Sequence, residues 1–323
     1  MKVLISDYKE HMEEDYTMTV EAIKEEMPGA DISIVPYDTP EFYEKLSDAD
    51  GLLTGLVPVD ETLLSHTNHL KCISVSAAGY NNIDMEETKK RNIGVCHIEE
   101  YCTREVSEHA IALMMALNRN LEAYDRDITN KMWMYHMVPP RKNIDSQTLL
   151  IFGFGRIGRQ TAALAKALGM SVMAVDPFVD EEVMHSMGVV KTDREEGLRK
   201  ADIMINHMNL TEDNYHYFNK EAFEMMKEDA LFINVGRGGC VDEDALLYAL
   251  DHHQIAGAAL DVLEDETPDL EKCPFVNRKD VILTPHSAFY SINSTEKRHK
   301  ISGRNLGAFL AGNYEDIQGL LSK

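Results

Sequence analysis

Short apolar or β-branched runs recur along the chain, separated by longer stretches whose apolar residues fall at helical spacing. The runs are Lys2 to Ser6, Asp31 to Pro36, Gly51 to Thr54, Cys72 to Val75, Leu149 to Phe152, Ser171 to Val175, Ile203 to Ile205, Leu231 to Val235, Gly257 to Leu260 and Val281 to Leu283. Strand-length runs alternating with helix-length segments predict parallel sheets built from βαβ units, hence an α/β fold. They fall into a group before residue 100 and a group after residue 145, more strands than one sheet needs. The joint, Thr103 to about Asp127, carries Val106, Ala110, Ile111, Met114, Leu117 and Leu121 at helical spacing, with Thr103 as N-cap, and predicts one buried connecting helix. A last helix, from about Ser291 to Leu310, is placed to return to the first group. Asn130 to Asn143 shows no clean period. It holds Trp133, Tyr135 and three methionines, an apolar excursion that suits a partner subunit or a core-covering loop.

A chain of 323 residues accommodates about two domains. Lys and Arg number 32 against 55 Asp and Glu, and the formal charge of −23 opposes nucleic-acid phosphates and anionic membranes. With 44% apolar and 27% charged residues the composition is that of a folded globular protein. The only apolar run near the start is Val3 to Ile5, and no stretch approaches the roughly 18 apolar residues of a membrane span, so a cytoplasmic location is expected. Five cysteines without a CxxC pair are expected to be reduced packing residues. His66 and His69 approach metal-ligand spacing, but no acidic or Cys partner is close in sequence, so a surface pair and no metal are expected.

Leu149 to Phe152 runs into Gly153-Phe154-Gly155-Arg156-Ile157-Gly158, then a helical run from Gln160 to Leu168 closed by Gly169, a second strand and Asp176. This order is what a dinucleotide site needs. Gly153 makes the tight turn, Gly155 admits a pyrophosphate to the backbone, Gly158 lets helix and strand approach, and the helix amino terminus faces the phosphates. Asp176 would accept from both ribose hydroxyls and repel a 2′-phosphate, which predicts NAD over NADP. A purely structural glycine turn is the bland alternative.

Further on stand Asn234-Val235-Gly236-Arg237-Gly238, Asp261-Val262-Leu263-Glu264-Asp265-Glu266-Thr267-Pro268 and Thr284-Pro285-His286-Ser287-Ala288, each at or just beyond a predicted strand end. Singly, Arg237 reads equally as a surface arginine, Glu266 as one acid of an exposed run and His286 as a core histidine. In this order and spacing they resemble the NxxRG, DVxxxE and TPH signatures of the D-isomer-specific 2-hydroxyacid dehydrogenases. The resemblance runs from about residue 50 to the carboxyl end. It includes Ser76-Ala77-Ala78-Gly79-Tyr80-Asn81-Asn82-Ile83-Asp84, similar to the family's substrate-carboxylate loop, and it is closest to the branch of glycerate dehydrogenases and C-terminal-binding-protein corepressors.

The resemblance implies two flavodoxin-like or Rossmann-like domains with parallel sheets and a cleft between them. A substrate-binding domain would span 1–101 and 290–323, and an NAD-binding domain 102–289, with a dimerisation segment at 119–145. It also implies a homodimer and hydride transfer between NADH and a small 2-keto acid, reversible to the 2-hydroxy acid. The residue types suit that chemistry. A carboxylate beside a histidine stabilises its imidazolium, so His286 with Glu266 suits a proton donor, and a planar guanidinium such as Arg237 grips a carboxylate. The expected cofactor contacts are Gly153, Gly155, Arg156, Ile157, Gly158, Asp176, His207, Met208, Val235, Gly236, Arg237, Asp261, His286 and Ala288. The expected substrate contacts are Ala78, Gly79, Arg237 and His286, with Leu56, Tyr80, Tyr101 and Phe289 lining the pocket.

The chain departs from the family in places. Thr267 separates Glu266 from Pro268, leaving Glu264 as a second candidate partner for the histidine, though the spacing favours Glu266. His207-Met208-Asn209-Leu210-Thr211 lacks the proline usual in that loop, and Asp145-Ser146-Gln147 replaces a Gly-Lys turn. Thr284 stands where formate dehydrogenases carry Gln. The pocket set offers no second cation for a phosphate, which disfavours phosphorylated acids. The competing expectation is an NAD-sensing scaffold like the corepressors, but no long disordered tail accompanies the fold.

Overall fold

The computed structural model describes residues 1–12 and 15–323. The chain divides into two compact units, Met1–Tyr101 with Ser291–Lys323, and Cys102–Tyr290.

The first unit is built on a six-stranded sheet in the spatial order Leu320–Ser322, Gly94–Cys96, Cys72–Val75, Gly51–Thr54, Lys2–Ile5, Asp31–Ile34. Five strands are parallel, and Leu320–Ser322 runs antiparallel beside Gly94–Cys96. Side chains alternate across a strand, so Leu4, Leu52, Ile73 and Val95 enter one core with Phe42, while Val3, Ile5, Leu53 and Cys72 enter another. Leu306 and Phe309 of the helix Ile292–Ala311 close that second face. Each fully buried Leu, Ile or Phe contributes about 1.5–3 kcal/mol, which fixes the strand register.

The second unit carries seven parallel strands in the order Val281–Leu283, Gly257–Leu260, Leu231–Asn234, Ile203–Asn206, Thr148–Phe152, Ser171–Val175, Val190–Lys191. Leu150, Phe152, Met204, Phe232, Ala258 and Leu260 share one core with Phe218 and Phe223.

In each sheet the order reverses beside the unit's first strand, between Lys2–Ile5 and Gly51–Thr54 and between Thr148–Phe152 and Ile203–Asn206. Open parallel sheets bind ligands beyond the strand carboxyl ends at such switch points. Those ends are Ser6-Asp7 and Gly55-Leu56 in the first unit, and Gly153 and His207-Met208 in the second.

Three strands lie outside the sequence expectation: Gly94–Cys96, Val190–Lys191 and Leu320–Ser322. Two or three residues are too few for a period of two to register. The connecting segment also differs from a single helix. It is Thr103–Asn118 followed by Leu121–Thr129, broken where Asn120 takes a left-handed φ of 51°. Thr103 is the first helical residue, and the N-cap is Cys102, whose side chain makes no capping bond.

Candidate active site

The glycine turn leaves the strand Thr148–Phe152 and enters the helix Arg156–Ala167. Gly153 has φ of 84°, and a Cβ there would stand 3.0 Å from the backbone of His207 and Met208. A Cβ on Gly158 would lie 2.1 Å from the Gly153 carbonyl oxygen, so helix and strand touch there through backbone. Gly155 is different: a Cβ would meet nothing within 4 Å. The turn is open at that one position, as a pyrophosphate approaching the backbone requires. Asp176, after the strand Ser171–Val175, accepts from the Phe154 N–H at 2.7 Å through one oxygen and from the Phe178 N–H at 2.9 Å through the other. These bonds fix its carboxylate at the turn, with lone pairs remaining for ribose hydroxyls. Arg156 and Ile157 open the helix whose amino terminus follows the turn.

Across the switch point, His207 is half-buried with its Nδ1 shielded from solvent, its Nε2 is 2.9 Å from Thr161 Oγ1, and loss of solvent around the ring pushes it down to about 3, so it is neutral. Two buried asparagines shape the neighbouring turns. Asn206 Oδ1 accepts from the Met208 N–H, and its amide donates to Asn234 Oδ1 at 2.9 Å. Asn234 accepts from the Gly236 N–H and donates to the Arg237 carbonyl. Val235, Gly236 and Arg237 thus follow a strand end whose geometry a side chain dictates. The Arg237 guanidinium bonds the Gly236 carbonyl at 2.8 Å.

His286 and Glu266 meet. His286 Nδ1 lies 2.7 Å from Glu266 Oε2. Burial pushes the Glu266 carboxyl up, but the hydrogen bond and charge of His286, with the Arg237 charge, outweigh this and hold it below the usual carboxylate value. An ionised carboxylate only accepts, so Nδ1 carries a proton and Nε2 is left as the working nitrogen. Glu264 is engaged elsewhere: Tyr215 donates to it and His216 Nε2 stands at 3.3 Å. Of the two acids left open by the sequence, Glu266 is the one at the histidine.

His286 sits at φ of 49°, a left-handed conformation unusual for a side chain with Cβ and one that costs on the order of 1–3 kcal/mol. Asp261 supports it. Its carbonyl accepts the His286 N–H at 2.7 Å, and its carboxylate accepts the N–H groups of Ser287 at 2.9 Å and Ala288 at 3.0 Å.

In the first unit, the loop 76–83 is tied to its neighbour by the Asn82 amide, which donates to the carbonyls of Gly55 and Val57. The Ala78 carbonyl accepts from His97 Nδ1 at 2.9 Å, and Gly79 follows it. Tyr80 and Leu56, 37% and 38% exposed, are open to solvent, whereas Tyr101 is only 6% exposed. The Phe289 ring lies 6.3 Å from that of His286, edge to face.

The sequence does not single out Asp7, Asn206 and His109, which bond to backbone or to another side chain and belong to no contiguous motif. Asp7 accepts from the Gly55 and Leu56 N–H groups, and His109 contacts Thr284. Among the described residues no cluster of three or more His, Cys, Asp or Glu is placed to hold a metal, and no helix is long and apolar enough to cross a membrane.

Residues 111–288 match the family model for the D-isomer specific 2-hydroxyacid dehydrogenase, NAD binding domain. A glyoxylate reductase from Korarchaeum cryptofilum is 33% identical over 273 residues, 83% of this chain and 82% of its own. A glycerate dehydrogenase from Methylorubrum extorquens is 33% identical over 286 residues, 86% of this chain and 88% of its own. Among solved structures, D-lactate dehydrogenase from Aquifex aeolicus, complexed with NAD and lactic acid, superposes with a TM-score of 0.88 at 27% identity, covering 99% of this chain and 98% of that one.

Proposed function

The chain belongs to the D-isomer-specific 2-hydroxyacid dehydrogenases and is an NAD-dependent oxidoreductase of 2-hydroxy acids, and from that premise we propose that it interconverts a short, unphosphorylated 2-keto acid and its D-2-hydroxy acid with Arg237, Glu266 and His286 as its catalytic set. The observation that carries the residue roles is the 2.7 Å bond between His286 Nδ1 and an ionised Glu266.

NADH, when bound, supplies the hydride that reduces C2 of the keto acid. Gly155 would leave room for its pyrophosphate, the helix amino terminus at Arg156 and Ile157 would attract the phosphates, and Asp176 would take the ribose hydroxyls. His286 Nε2 delivers the proton to the carbonyl oxygen as charge develops there, and Glu266 stabilises the imidazolium before transfer. Arg237 grips the substrate carboxylate and polarises the adjacent carbonyl. In the first unit, the N–H groups of Ala78 and Gly79, in the loop that resembles the family's substrate-carboxylate loop, are the backbone donors suited to a carboxylate. Leu56, Tyr80 and Phe289 offer apolar surface, which favours short or apolar acids over phosphorylated ones; relatives named glyoxylate reductase and glycerate dehydrogenase fit that choice, and those named D-3-phosphoglycerate dehydrogenase do not.

The working form is a cytoplasmic homodimer. Trp133, Tyr135, Leu121 and Met137 are 87%, 82%, 57% and 52% exposed in one segment, an apolar surface suited to a second copy, and all five cysteines are free thiols. Measuring NADH oxidation by the purified protein against glyoxylate, hydroxypyruvate, pyruvate, phenylpyruvate and 3-phosphohydroxypyruvate tests the substrate class. A short unphosphorylated acid should give the highest kcat/KM; a preference for the phosphorylated acid would overturn the choice, and tight NADH binding without turnover would favour the sensing scaffold.

A further inference from the structure

The left-handed turn at His286 is held by Asp261, and Asp261 is held in turn by a chain of hydrogen bonds that begins on another element. Its carboxylate is buried, with 1% side-chain exposure, and Oδ1 accepts from the Thr284 hydroxyl at 2.6 Å as well as from the Ser287 N–H. Thr284 has one proton, and it is spent on Asp261. The same hydroxyl oxygen lies 3.1 Å from Nε2 of His109, on the helix Thr103–Asn118, so in that contact the histidine must be the donor. His109 Nε2 also stands 3.5 Å from Asp261 Oδ1. Donor directions are therefore fixed along the whole series: His109 to Thr284, Thr284 to Asp261, and the backbone of 286–288 to Asp261.

We propose that His109 is a positioning residue for the reaction, setting through Thr284 and Asp261 the turn that presents His286. The role rests on the reading of His286 as proton donor. Without the His109 donor, Thr284 can turn its proton elsewhere and Asp261 Oδ1 loses its fixed partner. The backbone N–H groups at 287 and 288 then hold a less constrained carboxylate, and His286 has a left-handed conformation to relax from. An offset of about 1 Å at a reacting group costs up to about a hundredfold in rate, so the effect belongs in kcat. Most of the expected cofactor contacts, Gly153 to Gly158 and Asp176 among them, lie outside this series, so NADH affinity changes less than kcat.

The test compares His109→Leu, His109→Gln, Thr284→Val and the Leu/Val double variant with His286→Ala in the full-length protein, reading kcat, KM and NADH affinity by fluorescence. We expect His109→Leu to lower kcat by roughly tenfold to a hundredfold, with NADH affinity changing by much less. Gln retains an N–H donor and should restore most of the loss. The double variant should be no worse than its worse parent, since both break one series. Near-wild-type kcat in His109→Leu, a loss that Gln does not restore, or additive losses in the double variant would overturn the proposal while leaving the His286 role intact. Retained turnover in His286→Ala would overturn the proton-donor reading and this proposal with it. If His109→Leu does not fold, Thr284→Val alone decides: a kcat loss supports the role, and wild-type turnover ends it.

Discussion

The switch points of the two units have the same topology and opposite occupancy. In the first, the Asp7 carboxylate accepts from the Gly55 and Leu56 N–H groups at 2.8 and 3.2 Å, so the chain's own side chain fills the backbone donors that an anion would use. Burial pushes the Asp7 carboxyl up against those bonds and that of Tyr8. In the second, Asp176 takes the Phe154 and Phe178 N–H groups, and no side chain covers Gly155, which faces open space. A parallel sheet offers the crevice in both cases, and residue choice decides whether it is sealed or available. On the proposed reading anion binding in the first unit falls to the following loop, Ser76 to Ile83, while the second unit has an open switch point and places Arg237, Glu266 and His286 beyond the next three strand ends. On the proposed reading the second unit carries both the proton donor His286 and the carboxylate-gripping Arg237.

The sharpest way to break that assignment is to remove one group from each. His286→Ala should lower kcat by roughly 10² to 10⁴, the usual worth of general acid–base catalysis, with NADH binding retained. Leu56→Ala, in the first unit, should act mainly on the KM of the acid. Steady-state kinetics on both variants checks this, and comparable kcat losses would mean that the first unit takes part in the chemical step.

A smaller effect separates the two uses of glycine within the second unit. Gly158→Ala puts a methyl 2.1 Å from a backbone carbonyl, which cannot move without shifting the turn, so the apo protein should lose about 1–3 kcal/mol and melt several degrees lower. Gly155→Ala meets no atom, and a φ of −74° is open to alanine, so the apo melting temperature should fall far less than in Gly158→Ala while NADH affinity falls. Calorimetry and fluorescence titration distinguish them. Unchanged NADH affinity in Gly155→Ala would mean that the open face is not where the pyrophosphate lies.

These contrasts also show which parts of the molecule a sequence exposes. The glycine turn, Asp176, Arg237, Glu266 and His286 are legible because each motif is contiguous and its neighbours are strand residues with strong apolar signatures. Long strands such as Ser171–Val175 and Cys72–Val75 are legible for the same reason. The break at Asn120 is not, because apolar spacing continues through it to Leu121 and only a backbone angle marks the change. Nor are Asp7 and His109, whose partners lie 48 and 175 residues away and leave no local pattern. Gln147, in a segment that differs from the family, binds Asn118 Oδ1 and the Lys142 carbonyl, a structural tie between helix end and strand start that no motif announces.

The smallest expected effect compares the units in acid. Each holds a histidine that is neutral when folded: buried His299 in the first, pushed down to about 4 by burial and by the Arg298 charge, and half-buried His207 in the second, pushed down to about 3 by loss of solvent around its ring. His299 Nδ1 pairs with Thr19 Oγ1 at 2.6 Å, while His207 Nδ1 has no partner among the described residues. The unfolded chain titrates these rings near 6.5, so below that pH it binds protons that the folded state refuses. Stability is therefore full above about 6.5 and falls as pH drops, until about 4 for His299 and about 3 for His207. The second unit has the wider window and should lose more between neutrality and acid. Hydrogen exchange on each unit at pH values spanning that window measures the difference. His207→Gln should flatten the acid slope in 102–290 and His299→Gln the slope in 1–101 with 291–323; an unaltered slope in His207→Gln would mean that carboxylates, Glu266 among them, govern the second unit's acid response instead.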